Sequence, residues 1–142
     1  MTTTSQEERV LAALQSDAKA SSAEIADRAG LSMPTVRKYI RKLESEGVIV
    51  GYSADVDPKK LSDRSIAFVG VDVESDQYIA VIRALEGLDP VEALYTSSGD
   101  HPLMAEIRAP DGEALSTIIG EDILGIDGVV SACPAILQER LK

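Results

Sequence analysis

The sequence predicts an α+β protein in two parts, a winged helix-turn-helix followed by a six-element βαββαβ unit. Three observations predict it. Residues up to about 50 show apolar side chains at helical spacing, with a cap residue before each helix. From residue 65 onward, β-branched runs alternate with helical ones. The charge divides at the same place: residues 1–60 hold nine basic and nine acidic side chains, while residues 61–142 hold five basic and fifteen acidic and so carry the entire net charge of −10.

Ser5-Gln6-Glu7-Glu8 has the form of a capping box, a hydroxyl followed three residues later by a carboxylate. Val10, Leu11 and Leu14 then give a first helix its apolar face through about Asp17. A second capping box, Ser21-Ser22-Ala23-Glu24, opens a short helix with Ile25, Ala26 and Ala29 inward, and Gly30 supplies the left-handed residue that stops it. After the turn at Leu31, Ser32 is a good N-cap for a third helix over 33–46, and Pro34 is tolerated in its first turn because no intrahelical N–H is needed there. At about 100° per residue, Val36, Tyr39, Ile40 and Leu43 share one face and Arg37, Lys38, Arg41 and Lys42 the opposite one. Gly47 ends this helix, and Val48–Ala54 reads as a strand or hairpin arm. Asp57-Pro58-Lys59-Lys60 breaks the pattern, which divides the chain into 1–55, a linker 56–64 and a second domain 65–142. Lys59 and Lys60 read equally as phosphate contacts or as a solvated linker.

In the second domain Ser65–Glu74 is a β-branched strand, and Gln77–Glu86 is a helix closed by Gly87. Val91–Ser97 and Leu103–Arg108 are strands around a turn-rich loop, Asp111–Leu124 is a helix, and Val129–Leu137 a last strand. The order is that of the ferredoxin-like split βαβ unit.

Composition narrows the functions. With 44% hydrophobic residues a packed core forms, and with 4% aromatics it is built from Val, Ile, Leu and Ala. One Cys and one His leave metal clusters, disulfide frameworks and most nucleophilic chemistries short of parts. No catalytic residue, metal site or cofactor is expected. Glu121, Asp122 and Asp127 lack the spacing of a calcium loop and read as a solvated acidic edge. Cys133, in a strand of small apolar residues, reads as a buried small hydrophobe. No apolar run reaches 18 residues, so a cytoplasmic protein without membrane contact is expected. Its acidity suits either ordinary solubility or a halophile's molar salt, where charges are screened within about 3 Å.

A capped helix, a tight turn and a helix with one cationic face form a helix-turn-helix, whose second helix enters the major groove of double-stranded DNA. The run Leu31-Ser32, Thr35-Val36, Leu43-Glu44, Gly47-Val48-Ile49 and Gly51-Tyr52 resembles the signature of the Lrp/AsnC regulators. Gly99-Asp100 and Asp127-Gly128-Val129-Val130 extend the likeness to the second domain.

The resemblance implies a transcription regulator of amino-acid metabolism, with a RAM/ACT-like effector domain that forms dimers or octamers and takes a free amino acid between subunits. The DNA-binding set is Ser32, Pro34, Thr35, Arg37, Lys38, Arg41 and Lys42; the effector loop is Ser98, Gly99, Asp100 and His101. Aligned on Gly99, the family's Gly-x-x-Asp turn has Pro102 at the Asp position, so Asp100 and His101 are the substitutes. In that role Asp100 takes the amino group, and Ser98 or the Gly99 N–H takes the carboxylate. His101 otherwise reads as an exposed loop residue. The alternative function is an amino-acid-sensing or protein-interaction module that does not bind DNA.

Overall fold

The computed structural model describes residues 2–142. The chain divides into two compact units, one ending at Ala54 and one beginning at Asp55.

The first unit is three helices, α1 (Ser5–Ser16), α2 (Ser22–Ala29) and α3 (Met33–Ser45). Val10, Ala13 and Leu14 of α1, Ile25, Ala26 and Ala29 of α2, and Val36 of α3 form its core, with Tyr39, Ile40 and Ile49 packed against it. Leu43 is fully buried as well. Each helix start is capped by a side chain. The second and third caps are the expected ones: Ser21 and Glu24 make a full capping box, and Ser32 Oγ accepts from the Thr35 N–H. Gly30 at φ 67° closes α2 in the left-handed region that a Cβ disfavours.

The first cap falls one residue earlier than the sequence suggested. Thr4, not Ser5, is the N-cap, and Glu7, not Glu8, completes the box. Both registers satisfy the motif; in the Thr4 register the Glu7 carboxylate, besides closing the box, meets Lys42 of α3, a contact that favours it.

A second difference lies after Gly47. Residues 48–54 occupy the place of the wing but contain no strand. A lone strand leaves its N–H and C=O groups without a ladder, and among the described residues of this unit no other strand is there to pair with it.

The second unit begins with a turn of 3₁₀ helix, Pro58–Lys60, capped by Asp57. A four-stranded sheet follows: β1 (Ser65–Val73), β2 (Val91–Thr96), β3 (Leu103–Ala109) and β4 (Val129–Ile136), in the order β2-β3-β1-β4 with every pair antiparallel. Helix α4 (Tyr78–Glu86) connects β1 to β2; α5 (Gly112–Thr117) and a π-helical turn, Ile118–Ile123, connect β3 to β4. The single helix expected over 111–124 therefore changes its winding midway. The Leu124 N–H reaches back five residues to the Ile119 carbonyl, and the wider turn leaves Ile118, Ile119 and Ile123 all in the core.

Both helices join one core with Ala67, Val69 and Val71 of β1 and Leu103, Ala105 and Ile107 of β3. Side chains alternate across a strand, so Phe68, Gly70 and Asp72 of β1 face the other side of the sheet. That face exposes Phe68 and Tyr95.

Candidate nucleic-acid interface and effector loop

Helix α3 is fixed by its buried side, which leaves its other side available. Val36 and Leu43 are fully buried and Tyr39 and Ile40 partly so. Tyr39 is further held by its hydroxyl, which donates to Gln6 Oε1 at 2.6 Å. Arg37, Lys38 and Arg41 are exposed, and none is in an ion pair among the described residues. At the N-terminal end Ser32 Oγ and Thr35 Oγ1 share a hydrogen bond of 2.8 Å, and Pro34 lies in the first turn. An open groove of about 260 Å³ is lined by Arg37, Ile40, Arg41 and Ser22 at the start of α2. Ser22 was not singled out from the sequence, although its place in the first turn of a capped helix was legible.

Lys42 departs from the expectation. Its Nζ lies 2.6 Å from Glu7 Oε1, and Glu7 is 2% exposed. The Glu7 carboxylate also accepts the Thr4 N–H at 2.9 Å. The Lys42 hydrogen bond, then the one from Thr4, holds the Glu7 carboxyl below its ordinary range, and Glu7 raises the Lys42 ammonium above its own. Lys42 thus joins α3 to α1, and the unpaired cations of the helix are three rather than four. Lys59 is likewise engaged, with Glu139 at 2.9 Å.

The effector loop is a tight connection between β2 and β3, closed by the Ser97 N–H donating to the Pro102 carbonyl at 2.9 Å. Ser98, Gly99 and Asp100 are exposed at its tip. His101 is not an exposed loop residue: it is half-buried, turned back over β1, with Nδ1 3.0 Å from Asp72 Oδ1. The other Asp72 oxygen accepts from Ser131 Oγ of β4. The Ser131 bond first, then the His101 bond, holds the Asp72 carboxyl below its ordinary range. The loop's four expected residues therefore separate, three at the tip and one on the sheet.

Gly70 makes room for the ring. A Cβ there would stand 2.2 Å from His101 Cδ2 and 2.5 Å from Cγ, so the imidazole occupies the space a side chain would fill. Cys133 corrects a further expectation, for it is exposed. Its register neighbour on β1 is Gly70, whereas Ala132 and Pro134 lie beside the inward-facing Val71 and Val69. The apolar run around Cys133 predicts burial, but on the edge strand alternate residues face away from the helices. The sequence reading missed Asp72 and Ser131; the available signal was a carboxylate two residues after a glycine in an otherwise apolar strand. Glu121, Asp122 and Asp127 are exposed as expected and belong to no cluster of three close ligand atoms among the described residues.

Comparison with known proteins agrees with this architecture. Residues 4–50 match the winged helix-turn-helix DNA-binding family, and residues 66–142 match the Lrp/AsnC ligand binding domain. Over its full length and that of the relative, the chain is 66% identical to the HTH-type transcriptional regulator LrpA1 of Halobacterium salinarum. It is 43% identical to LrpA of Pyrococcus horikoshii, with 94% of each chain covered. Among solved structures, the leucine response regulatory protein LrpA of Mycobacterium tuberculosis superposes with a TM-score of 0.75 at 26% identity, covering 99% of this chain and 95% of that one. No helix among the described residues is long and apolar enough to cross a membrane. Two matched domains in this order, and full-length identity well above what a shared fold alone requires, place the chain in the Lrp/AsnC family of HTH-type transcriptional regulators.

Proposed function

We propose that this regulator is a cytoplasmic homodimer, or a higher assembly of dimers, that sets two copies of α3 into successive major grooves of a pseudo-palindromic site, about 34–36 Å apart. The observation that carries this reading is the exposed, unpaired trio Arg37, Lys38 and Arg41 on a helix whose other side is fixed by packing. Arg37, Lys38 and Arg41, with Ser22 beside the arginines, contact phosphates and position the helix; Pro34 and Thr35 at its N-terminal end read the bases. Ser32 keeps Thr35 in place as its cap.

Self-association runs through the second unit, whose sheet face carries exposed Phe68 and Tyr95 and is uncovered by helices. A free amino acid at the loop of Ser98, Gly99 and Asp100 biases one assembly over another, the only way a ligand can shift such an equilibrium. His101 is drawn from this set toward Asp72, so the amino group goes to Asp100 and the carboxylate to Ser98 and the Gly99 N–H. The relative from Halobacterium and the net charge of −10 support function in concentrated salt. There counterion release contributes little, and base contacts with multivalency supply the difference.

Fluorescence anisotropy tests the reading, using DNA from upstream of the protein's own coding region in low and molar potassium salt, with and without amino acids. Saturable binding that survives competitor DNA and shifts with one amino acid supports it. Specific binding indifferent to every amino acid removes the effector assignment. Failure to select any sequence from a random pool removes the operator reading.

A further inference from the structure

Three residues remote in sequence converge on the uncovered face of the sheet. An Asp72 carboxylate oxygen, a His101 ring nitrogen and the Cys133 Sγ all lie within 4.8 Å of one another. They come from β1, the β2–β3 connection and β4, so the fold rather than local sequence brings them together. The arrangement is built. Gly70 and Asp72 of β1 lie opposite Cys133 and Ser131 of β4, four positions on one face. Three of them carry polar side chains, and the fourth is the glycine over which the imidazole is seated. Ser131 and His101 hold the Asp72 carboxylate from its two oxygens.

We propose that Asp72, His101 and Cys133 bind one Zn²⁺ per chain on this face. The donor set selects the metal. Thiolate favours soft and borderline cations, imidazole suits zinc, copper, iron and nickel, and carboxylate alone would suit magnesium or calcium; zinc takes all three. Zinc bonds of about 2.0–2.3 Å put tetrahedral ligands about 3.5 Å apart, so Asp72 Oδ1 and His101 Nδ1, hydrogen-bonded at 3.0 Å, part slightly to admit the ion and Cys133 Sγ, within 4.8 Å, draws in on it. Cys133 is exposed and the Asp72 and His101 side chains are half-exposed, so small rotations accomplish this without disturbing the core. Binding expels the thiol proton of Cys133 and takes His101 as neutral imidazole; the fourth position points out from the sheet, toward water in a single chain and toward the partner copy where this face self-associates. All three ligands come from one chain. The inference stands whether or not the loop tip takes an amino acid, and a negative result leaves the DNA-binding reading untouched.

A net charge of −10 attracts cations nonspecifically, so the test must report the thiolate. Tag-free, reduced, chelator-treated full-length protein is titrated with Co²⁺. The expected result is saturation at one equivalent, with a near-ultraviolet thiolate-to-cobalt charge-transfer band and the intense visible bands of four-coordinate cobalt, both bleached by one equivalent of Zn²⁺. Cys133→Ala abolishes the charge-transfer band. His101→Gln and Asp72→Asn each weaken binding at least about tenfold, with melting curves recorded for every variant. Absence of the band in the wild type overturns the proposal. So does a band of unchanged affinity in His101→Gln, which marks a thiolate on an acidic surface and nothing more. Where either substitution alters the melting curve, the nuclear magnetic resonances of His101, the only histidine, decide. A shift complete at one equivalent of Zn²⁺ upholds the site; none refutes it.

Discussion

Lys42 of α3 and Glu7 of α1 form a 2.6 Å ion pair, with the Glu7 side chain buried at the junction of the two helices and the Lys42 side chain 44% exposed. The pair divides the cationic side of α3 between two tasks. Lys42 fastens the helix to the unit, while Arg37, Lys38 and Arg41 remain open to a polyanion. Because the carboxylate has left water, removing its partner leaves a buried charge without compensation.

Lys42→Ala and Arg41→Ala should consequently separate stability from binding. Lys42→Ala lowers the melting temperature of the full chain by several degrees and weakens DNA binding only through that loss of structure. Arg41→Ala leaves melting within about 0.5 kcal/mol of the wild type. It reduces DNA affinity, and the slope of log K against log salt becomes shallower by about 1 per copy of the chain engaged. Thermal melts together with anisotropy at several salt concentrations measure both. Equal effects of the two substitutions on the salt slope would return Lys42 to the phosphate-contacting set.

The same pair gives a pH signature at both ends of the scale. The Glu7 carboxyl is held below its ordinary range, so its contribution is complete above that range and is lost as pH falls through the folded-state value. The Lys42 ammonium is raised, so its contribution is complete below the ordinary lysine range and is lost as pH rises through the folded-state value. Glu7→Gln should thus lower the melting temperature by a constant amount around neutrality, and the difference should shrink toward acid and alkaline pH. Melts of wild type and variant from about pH 3 to about pH 11 measure it. A difference that does not shrink toward acid pH would assign the loss to packing rather than to the charge.

Leu43 tests whether α3 is positioned by its core side. It is fully buried near the C-terminal end of the helix, and the Val48 and Ile49 N–H groups both donate to its carbonyl. Leu43→Ala should destabilise the first unit by about 2–5 kcal/mol through lost burial and the cavity left behind. Specific DNA binding should fall with the folded fraction. Chemical denaturation followed by helical circular dichroism gives the figure, and a cost below about 1 kcal/mol would mean that the helix end repacks.

What could be read from the sequence was what neighbours in the chain decide. Ser32, Pro34 and Gly30 determine where helices begin and end through groups a few residues away, and the strand alternation around Val69 and Val71 gave the sheet its inner face. What escaped depends on distant partners. Glu7 meets the criteria of an ordinary capping residue until Lys42, 35 positions later, lies against it. Cys133 has the neighbours of a core residue, yet its opposite number on β1 is a glycine on the uncovered face. The Val48–Ala54 run has the composition of a strand, but composition does not supply a partner strand.

His101 has the sequence setting of a loop residue, yet it is a sheet-face residue because Gly70 admits it. Gly70→Ala should expel the ring. The new methyl would occupy the position of Cδ2 and Cγ, and the loop is exposed enough for the imidazole to swing outward rather than for the strand to move. Val69 and Val71 face the opposite side of β1 within the core, so the melting temperature of the second unit should change little. The effect appears in the spectrum of the only histidine: in Gly70→Ala its ring protons move to values typical of a solvated loop. Substituting Asp72→Asn then changes them no further, whereas in the wild-type background Asp72→Asn shifts them. If Gly70→Ala leaves the resonances unmoved, the ring is not seated on β1, and both the hydrogen bond to Asp72 and its closeness to Cys133 lose their support.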